Sequence, residues 1–163
     1  MVSVEPLQVV VADATAAGEL NLAAFVRNAQ KVASVRANAQ FLVDLAREHG
    51  SAAKFFADWP DSDFIGLLEV MKKRAARCAG ETAMRFFRTM GKPAFITTRD
   101  VSAALIEAGV LEKPPSGRKD FQAVQDAFNA WSEATGRNLT ALSRVLALSA
   151  GPVYGPEGQM GRR

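Results

Sequence analysis

Glycines cut the middle of this chain into segments whose apolar residues recur every three or four positions. Gly50, Gly80, Gly91, Gly109 and Gly136 each stand at such a break. Apolar residues at that spacing form one face of an α-helix, and a glycine just past the last turn ends it. In FVRNAQKVASVRANAQFLVDLAREHG the stripe is Val32, Val35, Ala39, Leu42 and Leu45, closed by Gly50. Ser51 is placed to cap a short helix carrying Phe55, Phe56 and Trp59, which Pro60 stops. Asp61 or Ser62 then caps FIGLLEVMKKRA, and ETAMRFFRTM forms the next helix, closed by Gly91. GKPAFITTRD reads as extended, because Pro93 disfavours helix at Lys92 and Ile96, Thr97 and Thr98 are β-branched. Thr98 caps RDVSAALIEA, which ends at Gly109; 111–119 is a loop. A longer helix with Phe121, Val124, Ala127, Phe128 and Trp131 on one face runs to Gly136, and Asn138 caps LTALSRVLALSA. The expectation is an all-α domain of six or seven helices over 19–150, preceded by a loosely structured segment 1–18 and followed by a disordered tail 151–163.

The length of 163 residues and a hydrophobic fraction of 48% suit one domain with a real core. No apolar run approaches the roughly 20 residues needed to span a bilayer. MVSVEPLQVVVADA has no basic leader and makes a poor signal peptide, so a cytoplasmic location is expected. One cysteine, Cys78, and one histidine, His49, allow neither an intrachain disulfide nor a Cys/His zinc cage, and no metal or other cofactor is expected.

Charge is concentrated in KKRAARCAGETAMRFFRTMGK. Lys72, Lys73, Arg74, Arg77, Arg85, Arg88 and Lys92 share this stretch with one acid, Glu81. Basic residues on helices often form only a solvated face. Here the asymmetry favours nucleic acid, because lysine and arginine supply the sequence-independent attraction to backbone phosphates. Two helices joined by a short turn leave the first amides of the second helix without internal partners, and the helix dipole adds positive potential. Gly80 lets that turn adopt left-handed geometry and lets a phosphate approach closely. Thr82 adds a hydroxyl, and at least one of Phe86 and Phe87 should face the core.

RCAGETAMRFFRTMG resembles a helix-hairpin-helix motif, with AGETA in place of the glycine-rich hairpin. GKPAFITTRDVSAALIEAGV directly after it is similar to the corresponding segment of the HhH-GPD DNA glycosylase superfamily. Within that superfamily the chain resembles the DNA-3-methyladenine glycosylase I group, which also has a segment like FVRNAQKVASVRANAQFLVDL and a KKR before the hairpin. The resemblance spans roughly Phe25 to Ser149. It implies a helix-hairpin-helix glycosylase-like fold without its N-terminal helices. The implied activity is base-excision repair by hydrolysis of the N-glycosidic bond of alkylated bases such as 3-methyladenine, after the base is flipped out of the duplex. The implied partner is double-stranded DNA, held through backbone phosphates by Ala79, Gly80, Glu81 and Thr82. Arg77 and Lys92 are added as charge partners on the residues' own account, and Thr98 completes the expected set of DNA-binding residues.

The sequence also departs from that pattern. Thr98 stands where many superfamily members carry a catalytic aspartate, and a threonine cannot carry the charge that stabilises an oxocarbenium-like centre. Asp100 reads as a first-turn helix acid and Glu19 as a helix-start acid. The group's zinc ligands, its acid and its aromatic residues from N-terminal helices have no counterparts, so no catalytic residue is assigned. Trp59, Phe86, Trp131 and Tyr154 are the large aromatics available for a base pocket, though the tryptophans fit a core better. Two further readings follow: a catalytically inactive helix-hairpin-helix DNA-binding module, or a half-domain that pairs with another chain or with itself. His49 suits a helix C-terminus, Cys78 a buried filler despite basic neighbours that favour a thiolate, and Ser143 and Arg144 a structural helix.

Overall fold

The structure, a computed structural model, describes residues 29–150 and the backbone of four residues beyond them. Seven α-helices occupy the described chain: α1 Ala29–His49, α2 Ala52–Asp58, α3 Phe64–Arg74, α4 Glu81–Thr89, α5 Arg99–Glu107, α6 Arg118–Thr135 and α7 Leu139–Ala150. A 3-10 turn at Asp61–Asp63 precedes α3. The all-helical class therefore holds. Two residues of backbone at Val153–Tyr154 (β1) pair antiparallel with Met160–Gly161 (β2). The segment expected to be loosely structured, 1–18, lies outside the described residues, as does the rest of the tail.

The helix ends follow the side chains that satisfy them. Ser51 accepts from the Lys54 N–H at 3.2 Å, Thr98 from Val101 at 3.3 Å and Asn138 from Ala141 at 2.9 Å. The cap of α3 is Asp63, whose carboxylate accepts from the Gly66 N–H at 3.2 Å, and not Asp61 or Ser62. The 3-10 turn consumes those two residues and moves the helix start onward. Gly50, Gly91, Gly109 and Gly136 all carry positive φ at the helix ends the sequence marks.

Four phenylalanines from four parts of the chain meet at the centre. Phe64 of α3 lies edge-on to Phe87 of α4 (5.8 Å) and to Phe95 (5.1 Å), and Phe95 tilts against Phe128 of α6 at 4.8 Å. All four are fully buried. Such pairs contribute about 0.5–1.5 kcal/mol each beyond their buried area.

Phe95 belongs to the extended segment between α4 and α5, whose buried amides need partners outside a helix. Two hydroxyls of α7 supply them: Thr140 accepts from the Ala94 N–H at 3.0 Å and Ser143 from Ile96 at 3.1 Å. Ser143 is thus structural, as expected. Gln125, 1% exposed, does the same on the other flank. Its carbonyl accepts from the Ile65 N–H at 3.1 Å, and its amide donates to the Asp61 carbonyl at 3.2 Å and to Asn129 at 2.8 Å. These clasps fix α6 against the start of α3 and α7 against the extended segment that follows α4.

Candidate nucleic-acid interface

Helix α3 stops at Arg74 and α4 begins at Glu81, so residues 75–80 form the turn that the basic stretch predicts. Its conformation is pinned from α1. Asn38 donates its Nδ2 to the Ala76 carbonyl at 3.0 Å and accepts the Ala76 N–H at 2.7 Å. Two residues of the turn have left-handed φ. Arg77, at φ 56°, holds the strain of a non-glycine residue there, and its Nη1 donates to Gln30 at 3.0 Å. Gly80 sits at φ 56°, ψ −133°, a region that side chains other than glycine's essentially never enter.

A Cβ built on Gly80 would meet nothing within 4 Å, so the turn is open at this position. No side chain caps α4. Glu81 and Thr82 in its first turn are exposed, and the helix presents amides without i−4 partners toward that opening. Ala79, Gly80, Glu81 and Thr82 are therefore brought together at one exposed helix start.

The charge is distributed differently from the linear reading. The asymmetry of seven bases against one acid shrinks in three dimensions, because acids from outside the stretch meet Lys72, Arg74 and Lys92. Arg74 is held by both oxygens of Glu48 at 2.7 Å and lies over the Phe41 ring. Arg85 pairs with Glu81, and Lys72 is 3.8 Å from Glu69. Lys92 corrects the sequence reading most sharply. Its side chain is only 6% exposed, and its Nζ donates to the Trp59 carbonyl at 2.7 Å, to Asp61 at 2.8 Å and to the Ala57 carbonyl at 3.5 Å. An ammonium so enclosed is a structural clasp between the α2 region and the end of α4, with its donors spent on protein acceptors. Lys73 and Arg77 are left beside the turn with no acid in ion-pair range among the described residues.

The remaining candidates lie elsewhere. Thr98 is half-buried and used as the α5 cap, and Asp100 is an exposed first-turn acid beside it. Trp59, Phe86 and Trp131 pack against the core cluster. Burial pushes the Cys78 thiol up, which overturns the thiolate-favouring effect expected of its basic neighbours and leaves the filler. His49 stacks on Phe55 at 4.4 Å. Glu19 lies outside the described residues, and of Tyr154 only the backbone is described.

One cavity of about 370 Å³ opens between the 3-10 turn and the end of α6, lined by Asp61, Ser62, Asn129, Ser132, Glu133 and Leu139, with no aromatic ring. Among the described residues no group of three or more His, Cys, Asp or Glu side chains is placed to hold a metal ion, and no helix is long and apolar enough to cross a membrane. No protein-family model, curated protein or solved structure matches this chain.

The residues that the sequence reading missed are Asn38 and Gln125. Both are polar side chains that bond to backbone more than 30 positions away, and no local pattern marks such a partner.

Proposed function

We propose that this chain is a DNA-binding protein of the base-excision glycosylase type, which grips the backbone of duplex DNA at the turn between α3 and α4. The observation that carries the reading is the open, uncapped start of α4 at Gly80, with the uncompensated Lys73 and Arg77 beside it. An anion at that place gains exposed amides and the helix dipole, with Lys73 and Arg77 close in the chain on either side of the turn's start. The resemblance of RCAGETAMRFFRTMG and the segment after it to the 3-methyladenine glycosylases supplies the rest: an alkylated base as substrate and hydrolysis of its N-glycosidic bond as the reaction.

A second reading, a module that binds duplex DNA without excising a base, is favoured by a specific observation. Excision needs a stacking surface for the flipped base and a group that stabilises positive charge on the sugar. Trp59, Phe86 and Trp131 are engaged with the core, Thr98 is a helix cap, and the cavity beside α6 has no ring in its wall.

A single-turnover assay on duplex DNA carrying alkylated purines, with binding to the same duplex followed in parallel, tests both. Base release supports the glycosylase reading. Binding without release supports the non-catalytic module. Absence of both overturns the proposal.

A further inference from the structure

Arg88 is a half-buried guanidinium with too few acceptors. Its Nη2 donates to the Ala94 carbonyl at 2.6 Å, while its Nε is enclosed with no partner at all. Leaving a charged donor unpaired inside a protein costs free energy that a suitable acceptor would restore. The same Ala94 carbonyl accepts from Thr140 of α7 at 3.3 Å, and Arg144 follows Thr140 by one helical turn on the same face. Arg85 precedes Arg88 by three positions on the matching face of α4. Glu81 pairs with Arg85, and neither Arg88 nor Arg144 has an acid partner among the described residues. The proximity is felt electrostatically: burial, and then the charges of Arg144 and Arg85, push the Arg88 guanidinium down from its ordinary range.

We infer that Arg85, Arg88 and Arg144 form a second oxyanion site, for a phosphate group, at the C-terminal end of α4 beside α7. The shape and charge of guanidinium favour the forked oxygens of phosphate over a halide or a single carbonyl. Three guanidiniums against one carboxylate leave the cluster cationic, and the exposed Arg144 gives it a side open to solvent. Two sources offer this chemistry, a free phosphate and a backbone phosphate of DNA. Arg88 lies seven residues beyond Glu81, about 10 Å along the axis, comparable to three base steps at about 3.4 Å each. A duplex running along α4 from the Gly80 turn would bring a phosphate to the second site. Only this choice of source rests on the DNA reading. The site itself stands without it.

The test follows the side-chain Nε–Hε resonance of Arg88, assigned by its loss in Arg88→Lys, while the full chain is titrated with inorganic phosphate and, separately, with a short duplex. The resonance is expected to shift with at least one of the two. Arg144→Gln, at an exposed side chain outside the core, is expected to weaken that response about tenfold, the worth of one charge-assisted contact. A response to inorganic phosphate alone assigns the site to a free phosphate, and a response to both assigns it to the backbone as well. No shift with either ligand, or an Arg144→Gln protein that responds as the parent does, overturns the inference. Gly80→Val separates the two sites: it weakens duplex binding if the turn reading holds, and it leaves the response to inorganic phosphate intact whether or not that reading holds.

Discussion

Asn38 and Ala76 exchange two hydrogen bonds, side-chain amide to backbone peptide, at 3.0 and 2.7 Å across 38 positions of sequence. A single polar residue on α1 thereby fixes the turn between α3 and α4, in the way one strand would pair with another. Arg77 next to it carries left-handed φ, so the clasp also holds the strain at the turn in place.

Replacing Asn38 with leucine removes both partners of Ala76 and leaves its N–H and carbonyl to compete for water in a half-buried place. The expected loss is about 1–3 kcal/mol in urea denaturation. Amide exchange at Ala76 should accelerate more than exchange in α6. Asn38→Asp should cost stability too, because a carboxylate accepts the N–H but faces the carbonyl with no donor.

Gly80 and Gly136 allow a comparison of backbone strain without clashes, since an added Cβ meets nothing within 4 Å at either position. Gly136 has φ 65°, ψ 12°, which an alanine tolerates at roughly 1 kcal/mol. Gly80, at ψ −133°, lies where only glycine is at ease, so Gly80→Ala should cost more, up to about 3 kcal/mol. Parallel denaturation of the two alanine variants gives the order directly. Equal losses would mean that the turn relaxes freely.

Lys92 should matter for stability and not for DNA. Lys92→Met strips a donor from two backbone carbonyls and from Asp61, with an expected loss of about 3 kcal/mol. Asp61→Asn should cost less, because the carboxylate is 44% exposed and water replaces part of what it loses. Duplex affinity of the folded fraction should be unchanged in both.

Acid should destabilise the protein through two carboxylates. The Arg74 guanidinium holds Glu48 below its ordinary range, chiefly by hydrogen bonding. The Ser116 and Gly117 amides do the same for Asp120. A carboxylate whose pKa is lower folded than unfolded adds stability at pH values above its unfolded pKa, near about 4. That contribution disappears as pH falls through the folded value. Asp120→Asn should flatten the acid limb of a stability–pH profile below about pH 4 and leave its neutral part parallel to that of the parent.

The helices were legible because their signals are local. Ser51, Thr98 and Asn138 cap the helices that their positions predict, and the glycines end them. The turn at Gly80 was legible for the same reason. The charge on it was not. Arg74 looks unopposed along the chain and is neutralised by Glu48, 26 positions away; Lys92 looks exposed and is buried by carbonyls of the α2 region. Linear charge density counts the bases in a stretch but says nothing of acids that folding brings to them. The α3 cap moved to Asp63 because a 3-10 turn, which carries no periodic signature over three residues, came first.

The salt dependence of duplex binding tests the central claim most directly, measured for the parent chain, for Lys73→Gln/Arg77→Gln and for Lys92→Met. With the turn on the backbone, the double variant should lose about 1.8 from the slope of log K against log salt, roughly 0.9 for each phosphate contact removed, and Lys92→Met should keep the parent's slope. A double variant whose slope matches the parent's would place the turn between α3 and α4 away from DNA.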